Sequence, residues 1–128
     1  MFEALKMIGT HIEIILIITG ATTAMALAQF MAPASISRLI YGAVPTEVVG
    51  IALIRHWGLL VFLVGVLLIY AAFHPEVREP VMVVAAAEKI TFSLVIFGTS
   101  LRRYPIAAAI AVGDILIALV YVLYLVGF

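Results

Sequence analysis

Cysteine is absent from the chain, and its absence removes several classes of chemistry. Without cysteine there are no disulfides, iron–sulfur clusters, thiolate zinc sites or cysteine nucleophiles. Charge is also scarce, because only 11% of the residues are charged and the formal net charge is zero. Nucleic acid is therefore excluded as a partner, since the chain has no basic surface to displace counterions from phosphates.

Catalytic motifs are absent as well. The sequence has no Gly-x-Gly-x-x-Gly, no phosphate-binding loop, no Ser/His/Asp order and no pair of catalytic carboxylates. We therefore favour a non-enzymatic function and expect no bound cofactor.

Hydrophobic residues are what the chain has in abundance. They make up 66% of it, and the mean hydropathy is +1.32, which indicates an integral membrane protein. About 20 helical residues cross the ~30 Å apolar core of a bilayer. Segments of about this length or longer occur four times, at residues 9–31, 47–73, 81–99 and 105–127. The pattern predicts an all-α fold, a single antiparallel bundle of four transmembrane helices over residues 1–128.

Three connections separate the predicted helices. Residues 32–46 read as a loop with one short amphipathic turn, residues 74–80 as a tight turn with proline at each side, and residues 100–104 as a short basic turn. We call side X the end with both termini and the turn at 74–80, and side Y the end with the other two connections.

Basic residues are unevenly divided between the two sides. Side X has Lys6 and Arg78, whereas side Y has four arginines: Arg38, Arg55, Arg102 and Arg103. The positive-inside rule therefore places side Y in the cytoplasm of a multi-pass protein, which we expect in a bacterial inner membrane. Five residues on side Y are expected at the membrane interface, with membrane lipids as their partners: Arg55, His56, Trp57, Arg102 and Arg103.

Charged residues also occur in the middle of the predicted spans. Glu88 and Lys89 lie in the third helix and Asp114 lies in the fourth. Lys89 and Asp114 are both ~14–15 Å from side Y at the helical rise. Three threonines of the first helix lie near the same depth: Thr19, Thr22 and Thr23. The sequence therefore predicts a polar layer in mid-membrane.

The polar layer has two interpretations. A buried ion pair between Lys89 and Asp114 would set the register of the helices, whereas intramembrane ionisable groups are also common in ligand and proton sites. Glu88 and Lys89 are ~100° apart around their helix, so both cannot face one partner equally well. One of them is expected to face a cavity or a second protein.

Small residues are expected to carry the packing, because lipid provides no hydrophobic drive between helices. Gly20 in the first helix, residues 85–87 in the third and the pair Ala109 and Gly113 in the fourth are the candidates. The spacing of the last pair is typical of a close helix crossing.

Histidines form a second candidate site. His11 and His74 both lie on side X, near Glu13 and Glu76. Imidazole and carboxylate can bind zinc, copper or iron, and two facing histidines can ligate haem. Because the chain has no His-x-x-x-His or Glu-x-x-His spacing, His11, His74 and Glu76 are only weak metal candidates.

Short motifs along the chain resemble those of small DoxX-like membrane proteins. They are Pro-Thr-Glu at 45–47, Arg-His-Trp-Gly at 55–58, Pro-Glu-Val-Arg at 75–78 and Glu-Lys at 88–89. The resemblance implies a four-helix membrane bundle, and some members look like accessory parts of quinone-linked redox systems. It implies no single activity and no catalytic residue.

Three functions are consistent with these patterns. The first is a homo-oligomeric component or accessory subunit of a larger membrane complex, with protein partners in the membrane. The second is binding of a lipophilic ligand, such as a quinone, an isoprenoid or a sterol-like molecule, at the mid-membrane polar site. The third is a haem or metal redox protein that uses His11 and His74. A cavity at the polar layer would distinguish the second from a dry, filled bundle.

Overall fold

The computed structural model describes the backbone of residues 2–127 and, within it, all side chains except those of Phe2, Ala4 and Leu5. This part of the chain is almost entirely helical and contains no strand. The elements in chain order are α1 Phe2–Thr10, α2 Ile12–Ala24, α3 Leu27–Met31, α4 Pro33–Tyr41, α5 Val48–Phe73, α6 Pro75–Phe97, a 3₁₀ turn Ser100–Arg103, and α7 Pro105–Leu125.

Four helical segments within residues 2–127 are long and apolar enough to cross a membrane. They are Ile12–Met31, which combines α2 and α3, and the single helices α5, α6 and α7. Most large apolar side chains on their outer faces are exposed, Leu53 and Leu116 among them, as expected for helices that face lipid. The predicted all-α, four-helix membrane bundle is confirmed, and the protein is a multi-pass membrane protein.

The first span is segmented, which differs from the single helix expected over 9–31. A break at His11 separates α1 from α2, and a second break separates α2 from α3. At the second break the amides of Met25 and Ala26 bond to carbonyls three residues back, at 3.2 and 3.1 Å. The hydroxyls of Thr22 and Thr23 also bond to carbonyls four residues back, at 2.9 and 2.7 Å. Such threonine bonds often bend helices, and two of them lie next to this break.

The prediction of a loop at residues 32–46 is mostly wrong, because nine of these residues form α4. Pro33 is at the first turn of α4, where its missing N–H costs no hydrogen bond. Ser37 and Tyr41 are buried one turn apart, and Gly42 ends the helix in the left-handed conformation with φ of 71°. The amphipathic turn expected around residues 36–41 is therefore the last part of a complete helix, α4.

The prediction of a turn at residues 74–80 is also wrong, since α6 begins at Pro75 and not at residue 81. Pro80 lies inside the helix, where proline removes one hydrogen bond. Arg78 also bonds across the turn: its Nε and Nη2 donate to the carbonyls of Ala71 and Ala72, at 3.1 and 3.0 Å. Those carbonyls belong to the last turn of α5, where a cation is favourable.

Glycine brings the first span close to α5. A Cβ placed on Gly65 would lie 2.5 Å from the amide nitrogen of Ala24 and 2.6 Å from the carbonyl oxygen of Gly20. A Cβ on Gly20 would lie 2.8 Å from the carbonyl oxygen of Gly65. The two backbones therefore touch at this crossing, as expected for small residues in membrane helices.

The alanine and glycine pair expected to pack α7 faces outward instead. Ala109 is exposed, and a Cβ on Gly113 would have no neighbour within 4 Å. Alanines on the opposite face carry the contact with α6: Ala107 and Ala111 are fully buried. The spacing identified small residues correctly but assigned them to the wrong face.

Candidate functional site

Lys89 is the centre of the polar layer. Its side chain is on α6, and only 2% of the residue is exposed. Its Nζ donates to Thr23 Oγ1 on α2 at 2.9 Å and to Asp114 Oδ1 on α7 at 3.3 Å. The ion pair predicted between Lys89 and Asp114 is therefore confirmed, and it joins three of the four spans.

Close packing of α6 on α7 positions this pair. Ala85 on α6 and Ala111 on α7 are fully buried. Ser93, one turn beyond Lys89, donates to the carbonyl of Ala111 at 2.8 Å. Ala111 is three residues before Asp114, so this bond fixes the height of the carboxylate relative to the ammonium group.

The threonines of the predicted layer have three different surroundings. Thr23 is buried and bonds to Lys89. Thr19 lies one turn away, and its hydroxyl bonds to the hydroxyl of Tyr121 on α7. Thr22 is exposed and lines the cavity described below. Only Thr23 therefore contacts the ion pair directly.

Glu88 is the second acid of the layer, and its surroundings differ from those of Asp114. The residue is partly buried. Its Oε2 atom is fully buried, yet none of the described residues gives it a hydrogen bond. A buried polar atom without a partner is uncommon in native proteins and costs about 1–3 kcal/mol. Glu88 is therefore the acid of the layer that is not bonded to another described residue.

A cavity of about 360 Å³ adjoins these groups. It lies among the four spans on the side Y half of the bundle, and α4 contacts α3, α5 and α7 beside it. All three charged residues of the polar layer line it, and most of its remaining surface is apolar. The lining side chains are those of Thr22, Thr23, Met25, Ala26, Ala28, Gln29, Ile36, Ile40, Tyr41, Trp57, Val61, Glu88, Lys89, Phe92, Ile110 and Asp114, with Gly58 beside them.

Three aromatic rings form one wall of the cavity. Tyr41 stacks on Trp57 with 6.2 Å between ring centroids, and Trp57 contacts Phe92 at 5.7 Å. Burial, with a smaller contribution from the Asp114 carboxylate, raises the pKa of Tyr41 to about 12. The phenol therefore keeps its proton and is available as a hydrogen-bond donor.

The residues expected at the side Y interface divide into two groups. Trp57 is partly buried, and its ring packs against those of Tyr41 and Phe92. Arg55 is exposed, with its guanidinium 5.7 Å from the ring of Phe30. The other three are also exposed: His56, Arg102 and Arg103. Of these, Arg102 donates to the carbonyl of Thr99 at 2.7 Å.

The histidines do not converge with carboxylates. His11 Nδ1 lies 3.0 Å from the carbonyl of Met7, and His74 Nδ1 lies 2.9 Å from the carbonyl of Tyr70. Glu76 is exposed. Among residues 2–127 no three His, Asp or Glu side chains come together in a way that could hold a metal ion.

Sequence reasoning missed several residues that shape the site. Gln29 is buried beside the cavity and donates to the carbonyl of Ile54 at 2.8 Å, which fixes α3 on α5. Tyr41 was assigned to a loop, although Ser37 and Tyr41 have the spacing of one helical face. The sequence gives only a weak indication of the role of Gln29, because it shows no more than a single polar side chain near the end of an apolar segment.

Comparison with known proteins adds no family to these observations. No family model, curated protein or solved structure matches the chain. The DoxX-like resemblance of the short motifs therefore stays a hypothesis. The site has to be interpreted from its own geometry, which is an apolar cavity with an ion pair, a carboxyl group whose buried oxygen has no hydrogen-bond partner among the described residues, and an aromatic wall.

Proposed function

We propose that this protein binds a lipophilic small molecule within the membrane. The apolar body of the ligand occupies the cavity, and its polar group meets Glu88, Lys89 and Asp114. The observation that supports this most directly is the cavity itself, which opens beside all three mid-span charges. A bundle whose charges served only helix register would be filled at this level.

The dimensions and chemistry of the cavity agree with those of ligand sites. Such sites are commonly ~300–1,000 Å³, mostly apolar, with a few polar groups that orient the ligand. The cavity of about 360 Å³ is in this range and has one short polar edge. Met25 and Ile110 at its border are exposed, so a lipophilic molecule can enter laterally from the bilayer.

The test is native mass spectrometry of the protein gently extracted from its membrane. We expect a bound small lipophile on the wild type. The variant Val61→Phe should lose it, because Val61 lines the cavity and the larger ring fills part of that space. Lipid extraction of the same samples, followed by mass analysis, identifies the molecule.

Val66→Phe is the matched control. Val66 is on the same helix, but it is 43% exposed and lies outside the cavity, so this variant should retain the bound mass. Equal retention by both variants, or no bound lipophile on the wild type, would contradict the proposal. An additional polypeptide in place of a lipophile would support the alternative, an accessory subunit of a larger complex.

A further inference from the structure

One basic side chain and two acidic side chains line the cavity. Lys89 supplies one positive charge, while Asp114 and Glu88 supply two carboxyl groups. The ammonium group is already committed to Asp114 and Thr23. Glu88 therefore has no ion pair of its own among the described residues, and its Oε2 atom is buried there without a hydrogen-bond partner.

The aromatic wall faces the same space. The rings of Tyr41, Trp57 and Phe92 all line the cavity, and each is within 6.2 Å of its neighbour, centroid to centroid. Aromatic faces attract cations, and the attraction reaches ~2 kcal/mol or more where water is excluded. Tryptophan is the strongest of the three ring types in this respect, and Trp57 is the only tryptophan of the chain.

We infer that the ligand is an organic monocation with an apolar body, such as a lipophilic amine or a quaternary ammonium or phosphonium ion. Glu88 is its counter-ion, and the aromatic wall of Tyr41, Trp57 and Phe92 contacts its apolar substituents. This inference rests on the proposed function and specifies the chemical class of the ligand. An anionic ligand would meet a second carboxyl group instead of a cation, and a neutral ligand could hydrogen-bond to Glu88 but would give it no counter-ion.

Two probes of matched shape and opposite charge test the inference. Tetraphenylphosphonium and tetraphenylborate have nearly the same size and apolar surface, so a difference in binding reports the sign of the charge. Their Kd values are measured on the purified wild-type protein in the same neutral detergent by isothermal titration calorimetry. Quenching of Trp57 emission reports whether the probe occupies the cavity. We expect a Kd at least about tenfold lower for the cation.

The variant Glu88→Gln assigns the preference to one side chain. It should weaken tetraphenylphosphonium binding about tenfold or more and leave tetraphenylborate binding unchanged or stronger. Glu79→Gln is the matched control, since Glu79 is an exposed acid on the same helix outside this cavity. The wild-type comparison of the two ions needs no variant, so it remains decisive even if Glu88→Gln folds poorly.

Each result separates this inference from the proposed function. Tetraphenylborate binding that equals or exceeds that of the cation would overturn the cationic ligand and leave lipophile binding supported. No binding of either ion would also overturn it, while the bound mass on wild type and its loss in Val61→Phe decide the proposed function independently. A cation preference that survives in Glu88→Gln would remove Glu88 as the counter-ion and overturn the assignment.

Discussion

A lysine in mid-membrane is costly alone, and the structure shows how this one is accommodated. Insertion scales assign about 2.5–3.5 kcal/mol to a lysine at the centre of a span. Here Lys89 has both a counter-ion, Asp114, and a neutral acceptor, Thr23. A buried pair of this kind adds little stability relative to apolar residues of similar volume, but removal of one partner leaves the other charge uncompensated.

The variant Asp114→Asn is therefore expected to lower stability by about 3 kcal/mol, because the Lys89 ammonium group loses its counter-ion. Thermal unfolding in detergent measures this change. The double variant Lys89→Met with Asp114→Leu should recover most of the loss. Glu79→Gln, which removes an exposed acid of α6, serves as the control. Unfolding temperatures that stay the same in every variant would show that the pair does not contribute in this way.

At the level of helices, close packing depends on which face of a helix carries the small residues, not on how many small residues the helix has. Gly20 and Gly65 meet backbone to backbone, whereas Gly113 has open space beside it. All three glycines lie in apolar helices, and the local sequence does not show which of them is packed and which is open. Which face of a helix turns inward depends on its neighbours, and in a membrane the apolar pattern that reveals the inner face of a soluble helix is missing.

Two glycine substitutions should therefore have opposite effects. Gly65→Ala places a methyl group 2.5 Å from the amide nitrogen of Ala24, a backbone atom that cannot move away. We expect it to destabilise the protein by about 1–3 kcal/mol. Gly113→Ala meets nothing within 4 Å and gains helix propensity, so it should be neutral or slightly stabilising.

Thermal unfolding of the two variants in one detergent tests this difference. Equal destabilisation by both would mean that Gly113 packs against another molecule, and equal tolerance would mean that α2 and α5 are not in backbone contact.

Charge and hydropathy along the chain were enough to predict the helical class and the ion pair, because each depends on local composition and helical rise. The cavity was not predictable in shape, since it depends on α4 lying beside three spans. Proline and glycine in residues 33–45 favoured a loop, yet Pro33 and Gly42 only begin and end a helix. The contacts of Trp57 with Tyr41 and Phe92 were likewise not predictable, because they depend on how three different helices pack together.

For the whole molecule, the distribution of basic side chains bears on orientation. The four arginines of side Y are all exposed: Arg38, Arg55, Arg102 and Arg103. On side X, Arg78 is buried against the carbonyls of α5. Lys6 on side X is also exposed, so the exposed basic side chains number four on side Y and one on side X, in agreement with the expectation that side Y is cytoplasmic.

The chain has no cysteine, so single cysteines can report this orientation without a background signal. Thr46→Cys lies between α4 and α5 on side Y, and Glu76→Cys lies at the start of α6 on side X; both positions are exposed. In intact cells or right-side-out vesicles, an impermeant maleimide should label Glu76→Cys and not Thr46→Cys. Inverted vesicles should give the reverse. The opposite pattern would place side X in the cytoplasm.

The ion pair also has a consequence for how the chain enters the membrane during synthesis. Thr23 emerges from the ribosome long before Lys89, but Asp114 emerges 25 residues after it. When α6 first reaches the bilayer, its lysine can find the threonine hydroxyl of the first span, while its counter-ion is still inside the ribosome. We therefore expect the third span to become stable in the bilayer only when the fourth arrives, so that the two helices insert together.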